Sequence, residues 1–189
     1  MAIVIHNLTK SYGPKLALPP FSCTLEEGEI VCLLGQSGCG KTTLLRLLLG
    51  LETPTGGTIR GLPERISAVF QEDRLCPAFS AVTNLSLVLG QPAPRSEIVT
   101  LLTELGLGDA LNKPVRELSG GMQRRVAIAR SLLVPADLFL MDEPFKGLDE
   151  GTRQQVMDTV LLHTRGRTLL VVTHDPEEAA YLGGRILRM

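Results

Sequence analysis

An apolar run, Ile30-Val31-Cys32-Leu33-Leu34, passes without a break into Gly35-Gln36-Ser37-Gly38-Cys39-Gly40-Lys41-Thr42. Continuous rather than alternating apolarity is what a strand buried on both faces of a parallel sheet requires. The eight residues after it fit the phosphate-loop pattern G-x-x-x-x-G-K-[ST], and a helical stretch opens near Lys41, so the motif stands in the strand–loop–helix context it needs. Glycines let successive backbone N–H groups turn inward on phosphate oxygens, and a helix N-terminus adds positive charge there. In such a loop the lysine reaches the β/γ-phosphates and the following Thr hydroxyl ligates Mg²⁺. At this glycine, lysine and threonine content, a chance match in a chain of this length is on the order of 10⁻². The loop therefore predicts binding of a nucleoside triphosphate.

Two more apolar runs, Leu138–Met141 and Leu169–Val172, read as further buried strands. Helical patterns fall between them. Ile98, Leu101, Leu102 and Leu105 recur at helical spacing and stop near Gly106, and Met122, Val126, Ala129 and Leu133 mark a second stripe. Asp175-Pro176-Glu177-Glu178 has the order of a helix start: a cap, a proline in the first turn, then acids at the positive end of the dipole. Strands alternating with helices define an α/β class with a mostly parallel sheet. The stretch 72–117 holds Pro77, Pro92, Pro94 and Pro114, apparent helices and no convincing buried strand. It reads as a helical subdomain inserted between 1–71 and 118–189, which form the catalytic lobe of one 189-residue domain. Gly56-Gly57 and Gly183-Gly184 read as turns.

Composition removes several function classes. The formal net charge is −1, so no global field draws the chain to nucleic acid. Five Phe, two Tyr and no Trp leave little for base-stacking surfaces. Mean hydropathy is positive, +0.18, but no apolar run approaches the ~20 residues of a membrane span. Cys23, Cys32, Cys39 and Cys76 lack zinc or redox spacing, and Met1–Lys10 lacks a basic start followed by an apolar block. A reducing, cytosolic setting is the expectation.

Two weaker motifs gain meaning beside the phosphate loop. Leu138-Phe139-Leu140-Met141-Asp142-Glu143 places two carboxylates at the carboxyl end of a buried strand, where ligands of such sheets bind. Asp142 is suited to hold Mg²⁺ and Glu143 to take a proton from an attacking water, although an acidic pair after a strand can be plain solvated loop. Leu118-Ser119-Gly120-Gly121-Met122 is either a capped helix after a glycine turn or a second anion site. A second phosphate cradle in a chain with one nucleotide suggests a head-to-tail dimer.

Taken in order, these motifs resemble the nucleotide-binding subunits of ATP-binding-cassette (ABC) transporters over essentially the whole chain. The resemblance implies a P-loop NTPase core with a mostly parallel sheet, an N-terminal antiparallel β portion and the helical insertion. It further implies that Tyr12 stacks on adenine and that Gly35, Gln36, Ser37, Gly38, Cys39, Gly40, Lys41, Thr42 and Thr43 hold the ATP phosphates. Ser119, Gly120, Gly121 and Asp149 then serve the dimer interface and the facing ATP. Thr42, Gln71 and Asp142 attend Mg²⁺, and Glu143, His174 and Gln71 are the catalytic set. The partners implied are transmembrane permease subunits and a second nucleotide-binding subunit, a homodimer, peripheral on the inner face of the cell membrane. Gln71–Leu75 and Glu143–Asp149 look most like bacterial importers of small polar nutrients of the nitrate, sulfonate and thiamine types.

The chain departs from that pattern at Met122, where glutamine is usual, and in a short 57–71 stretch that suggests a trimmed strand pair. Arg124-Arg125 reads as a solvated basic face, and His6 and His163 as structural or surface residues. Two alternatives remain: an ABC-type switch in DNA repair or translation, and a phosphate-loop kinase. An inactive cassette is disfavoured by intact Lys41, Asp142, Glu143 and His174. Cys39 inside the loop supplies a test: alkylating its thiol is expected to abolish ATP binding, measured by nucleotide affinity before and after labelling.

Overall fold

The computed structural model describes residues 2–89 and 94–189; Pro92 lies outside them. The chain divides into two compact units, 1–66 with 136–143 and 166–189, and 67–135 with 144–165. The stretch 72–117 lies inside the second unit, which also takes in the helices on either side of Leu138–Asp142.

The first unit opens with β1 (Ile3–Tyr12) and β2 (Lys15–Leu25), an antiparallel hairpin closed over Gly13-Pro14, with β4 (Gly56–Arg60) on the other side of β1. The expectation of a turn at Gly56-Gly57 is corrected: both glycines begin β4. Gly57 has φ +81°, and a Cβ there would stand 2.3 Å from the Asn7 carbonyl oxygen. Only glycine lets β4 approach β1 this closely, at the register shift between His6 and Thr9. Around the short 57–71 stretch, β4 and β5 (Ile66–Val69) are five and four residues long and join different sheets.

The second sheet has the order β5-β6-β7-β3-β8. Its centre is the trio of apolar runs: β3 (Ile30–Leu34), β6 (Leu138–Asp142) and β7 (Thr168–Thr173), with β7 parallel to both neighbours. Every residue of β6 and β7 is buried, as continuous apolarity requires. The strand β8 (Arg185–Arg188) joins parallel to β3; its Arg-Ile-Leu-Arg sequence is mostly exposed, and an edge strand of this kind has no apolar run to announce it. In this unit α1 (Lys41–Leu48) packs on β6, and α6 (Pro176–Leu182) packs on β3 and β7. The three central strands bring the ends of β3, β6 and β7 to one edge: Leu34 pairs with Thr173, and Asp142 with Val172.

The second unit holds α2 (Ala81–Ser86), α3 (Arg95–Glu104), α4 (Gly120–Leu133) and α5 (Glu150–His163). Ile98, Leu101, Leu102 and Leu105 are all buried and Gly106 ends the helix at φ +69°, as their periodicity predicts. They pack with α2, α4 and α5. Truncating Phe139→Ala in β6, where the ring is fully buried, is expected to cost about 3–5 kcal/mol of stability, read from the denaturant midpoint.

Candidate active site

In the first unit the phosphate loop leaves β3 and turns into α1. Gly38 (φ +84°) and Gly40 (φ +109°) hold left-handed conformations that side chains resist. A Cβ at Gly40 would lie 2.7 Å from the Ala17 carbonyl oxygen, and one at Gly35 2.8 Å from Cys39 Sγ. Gln36, Ser37 and Gly38 form the exposed crest, while Cys39 is half-buried below it. Lys41 is buried and its ammonium donates to the Gly35 and Gln36 carbonyls at 2.7 and 2.8 Å, with Cys39 Sγ at 3.8 Å. The lysine is thus folded under its own loop, ready to face an anion on the crest. No acidic residue of α1 itself stands in its first turn.

Thr42, half-buried beside Thr43, donates its hydroxyl to Asp142 Oδ2 at 2.7 Å. Asp142 ends the buried strand β6, only 4% exposed. Glu143, the next residue, is at φ +47°, a left-handed conformation costly for a side chain-bearing residue. The sheet holds it there: the Glu143 N–H donates to the Val172 carbonyl at 2.8 Å, across the β6–β7 ladder. The turn re-aims the Glu143 carboxylate, whose Oε1 lies 3.3 Å from His174 Nδ1. Lys41, Thr42, Asp142, Glu143 and His174 therefore share one sheet edge of one unit.

This edge offers hard oxygen donors to a divalent cation, but among the described residues no cluster of three His, Cys, Asp or Glu could hold a metal alone. One carboxylate and one hydroxyl suit Mg²⁺, which takes most of its shell from phosphate and water. Tyr12 is carried on the antiparallel sheet of the same unit at the end of β1, 42% exposed.

The second unit carries the other predicted residues. Gln71 is exposed, two residues beyond β5. Ser119 caps α4, its Oγ accepting from the Met122 N–H at 3.3 Å. Position 122 supplies a backbone donor to that cap, so methionine in place of glutamine leaves it intact. Gly120 opens to free space, and a Cβ at Gly121 would lie 3.3 Å from Leu148. Asp149 caps α5: its Oδ1 accepts from the Thr152 N–H at 3.0 Å, which pulls its carboxyl below the usual range.

The family follows from comparison. A family model described as "ABC transporter" matches residues 18–146. The aliphatic sulfonates import ATP-binding protein SsuB 3 of Paraburkholderia xenovorans (strain LB400) is 43% identical over 193 residues, covering 100% of this chain and 77% of that protein. The aliphatic sulfonates import ATP-binding protein SsuB 2 of Burkholderia cenocepacia (strain HI2424) is 40% identical over 190 residues, covering 95% and 70%. This chain belongs to the ABC transporter family. Among solved structures, the dimeric bacterial ABC transporter cassette MJ0796 superposes with a TM-score of 0.88 at 32% identity, over 99% of this chain and 94% of that one. A dimeric post-hydrolysis state of the same cassette, bound to ADP and Pi, gives 0.86 at 30% identity over the same shares. The chain is an ATP-binding and ATP-hydrolysing cassette, which sets aside the kinase reading.

Two features of the cassette escaped sequence reasoning. Arg124 is not on a solvated face: it is 5% exposed and hydrogen-bonded to two loops, whereas Arg125 is half-buried, donating to the Leu105, Gly106 and Gly121 carbonyls. Burial pulls the Arg125 guanidinium below its ordinary pKa. Glu178, legible only as a helix-dipole acid, is buried and accepts the Thr173 hydroxyl at 2.5 Å. The same Thr173 oxygen accepts the Asp175 N–H at 3.1 Å, so the backbone on both sides of His174 is held by one side chain. Asp175 caps α6 as predicted, accepting from the Glu177 N–H at 2.8 Å. Thr173→Val keeps the shape but removes the hydroxyl that donates to Glu178 and accepts the Asp175 N–H. We expect a loss of about 1–3 kcal/mol in stability and a lower kcat with unchanged ATP affinity, read by denaturation, steady-state kinetics and nucleotide titration.

Proposed function

We propose that this cassette is the motor of a bacterial importer of a small polar nutrient, bound to membrane permease subunits on the cytoplasmic face. The observation that carries the chemistry is the single sheet edge on which Lys41, Thr42, Asp142, Glu143 and His174 meet, with Thr42–Asp142 at 2.7 Å and Glu143–His174 at 3.3 Å. Support for import comes from relatives named as aliphatic sulfonate import ATP-binding proteins. No helix among the described residues is long and apolar enough to cross a membrane. The reading of a DNA-repair or translation switch finds no support in these relatives.

In this mechanism the crest Gly35–Thr43 cradles the triphosphate through backbone N–H groups, and Lys41 turns from its own carbonyls to the β/γ-phosphates. Tyr12 presents its ring to the adenine. Thr42 and Asp142 would hold Mg²⁺, with Gln71 attending it; the ion, when bound, offsets charge on the β- and γ-phosphate oxygens. Glu143 takes a proton from water as the water oxygen bonds to the γ-phosphorus and the bond to the bridging oxygen of ADP breaks. His174 fixes the Glu143 carboxylate and faces the γ-phosphate. A second copy of the chain completes each site: Ser119, Gly120 and Gly121 at the start of α4 face the partner's γ-phosphate, and Asp149 lies at the dimer interface. Closure on ATP and opening after hydrolysis then drive the permease.

Glu143→Gln keeps the shape and loses the base. We expect it to bind ATP, form a stable dimer by size-exclusion chromatography and hydrolyse ATP roughly 10²–10⁴-fold more slowly. Turnover at the native rate rejects the assignment.

A further inference from the structure

We infer that Arg124 is a positioning residue: its guanidinium braces the loop carrying Gln71 to the helix behind Ser119–Gly121, and ATP hydrolysis depends on that brace. The inference rests on the functional reading above and names a residue that reading does not use.

A buried cation is costly unless charge and hydrogen bonds surround it, and a well-packed apolar side chain is often as stable in its place. What a buried arginine supplies instead is direction, because its donors stand in a rigid planar fork. Here the fork is used across two loops. Nη1 donates to the Phe70 carbonyl at 2.5 Å and to Asp73 Oδ1 at 2.8 Å, and Nε donates to the Pro144 carbonyl at 3.0 Å. Phe70 is the residue before Gln71, and Pro144 the residue after Glu143.

Arg130, further along the same helix, donates to the Asp73 and Arg74 carbonyls at 2.9 and 2.8 Å. Arg74, itself at φ +47°, lays its guanidinium 4.0 Å above the Phe70 ring and closes the loop on itself. The carbonyls of residues 70, 73 and 74 are all tied to α4, so Gln71 and Glu72 span two points fixed on one helix. That helix starts at the Ser119 cap. A shift of α4 when Ser119 and Gly121 engage the facing ATP must carry the Gln71 loop with it. Arg124 thus links the sensor of one nucleotide to the contact with the other.

Arg124→Lys keeps the charge and loses the fork; a single ammonium cannot serve both loops. In the purified full-length chain we expect kcat for ATP hydrolysis to fall about 10- to 100-fold, with KM and the MgATP dissociation constant within about twofold. The decisive measurement is a double-mutant cycle. In a Gln71→Ala background, adding Arg124→Lys is expected to lower kcat by less than about threefold, because the group it positions is already gone. Native kcat in Arg124→Lys overturns the inference. So does a full loss repeated in the Gln71→Ala background, or a loss of ATP affinity matching the loss of kcat; either marks a merely structural arginine. If Arg124→Lys does not fold, judged by its unfolding transition, Asp73→Asn removes the same ion pair from the loop side and runs through the same cycle. Glu143→Gln is measured alongside: native turnover there rejects the functional reading itself, whereas an inactive Glu143→Gln beside a fully active Arg124→Lys rejects only the brace.

Discussion

The hydroxyl–carboxylate contact between Thr42 and Asp142, 2.7 Å long across 100 residues of sequence, is the constraint from which the site follows. It exists because α1 leaves β3 and β6 ends at the same edge of a parallel sheet, with β7 between the two strands. A parallel ladder puts all carboxyl ends on one side, so each loop leaving that edge delivers its side chains to the same place. The β7 end adds His174, and the β6 end adds Glu143 in a conformation that the ladder bond to Val172 maintains. Strain of this kind persists only where the surroundings over-determine it, and here buried strands do so.

The second unit answers a different requirement. Its predicted residues lie on loops and helix starts, where local geometry is soft, and three arginines of α4 stiffen it. Each guanidinium is spent on backbone carbonyls that a short loop leaves unpaired, those of Phe70, Asp73 and Arg74, and Leu105 and Gly106. Burial pulls the Arg125 and Arg130 guanidinia below their ordinary pKa. The helix is thereby both a wall of the core, through buried Val126, Ile128 and Ala129, and a frame on which functional loops hang.

Much of this was legible in the residues. The strands β3, β6 and β7 declared themselves by unbroken apolarity, α3 by its leucine spacing, and α6 by Asp175-Pro176. The edge strand β8 did not, since mostly exposed Arg-Ile-Leu-Arg has neither alternation nor burial to betray it. Gly56-Gly57 misled because a glycine pair looks the same whether it makes a turn or admits a neighbouring backbone where a Cβ would clash. Arg124 misled because a charged residue on a helix predicts solvent, and only knowledge of its partners reverses that expectation.

By itself the sequence determined the phosphate loop, the acidic pair after a buried strand and the Ser119-capped helix, and their order along the chain determined the family. The motifs are local: the chemistry of eight or fewer consecutive residues is enough to recognise each. Tertiary structure alone decided that Glu143 sits at positive φ beside His174, that Thr173 and Glu178 hold the turn around that histidine, and that Arg124 ties two loops together. Those outcomes depend on which distant carbonyls and carboxylates meet a side chain once water is excluded, and no spacing along the chain encodes that.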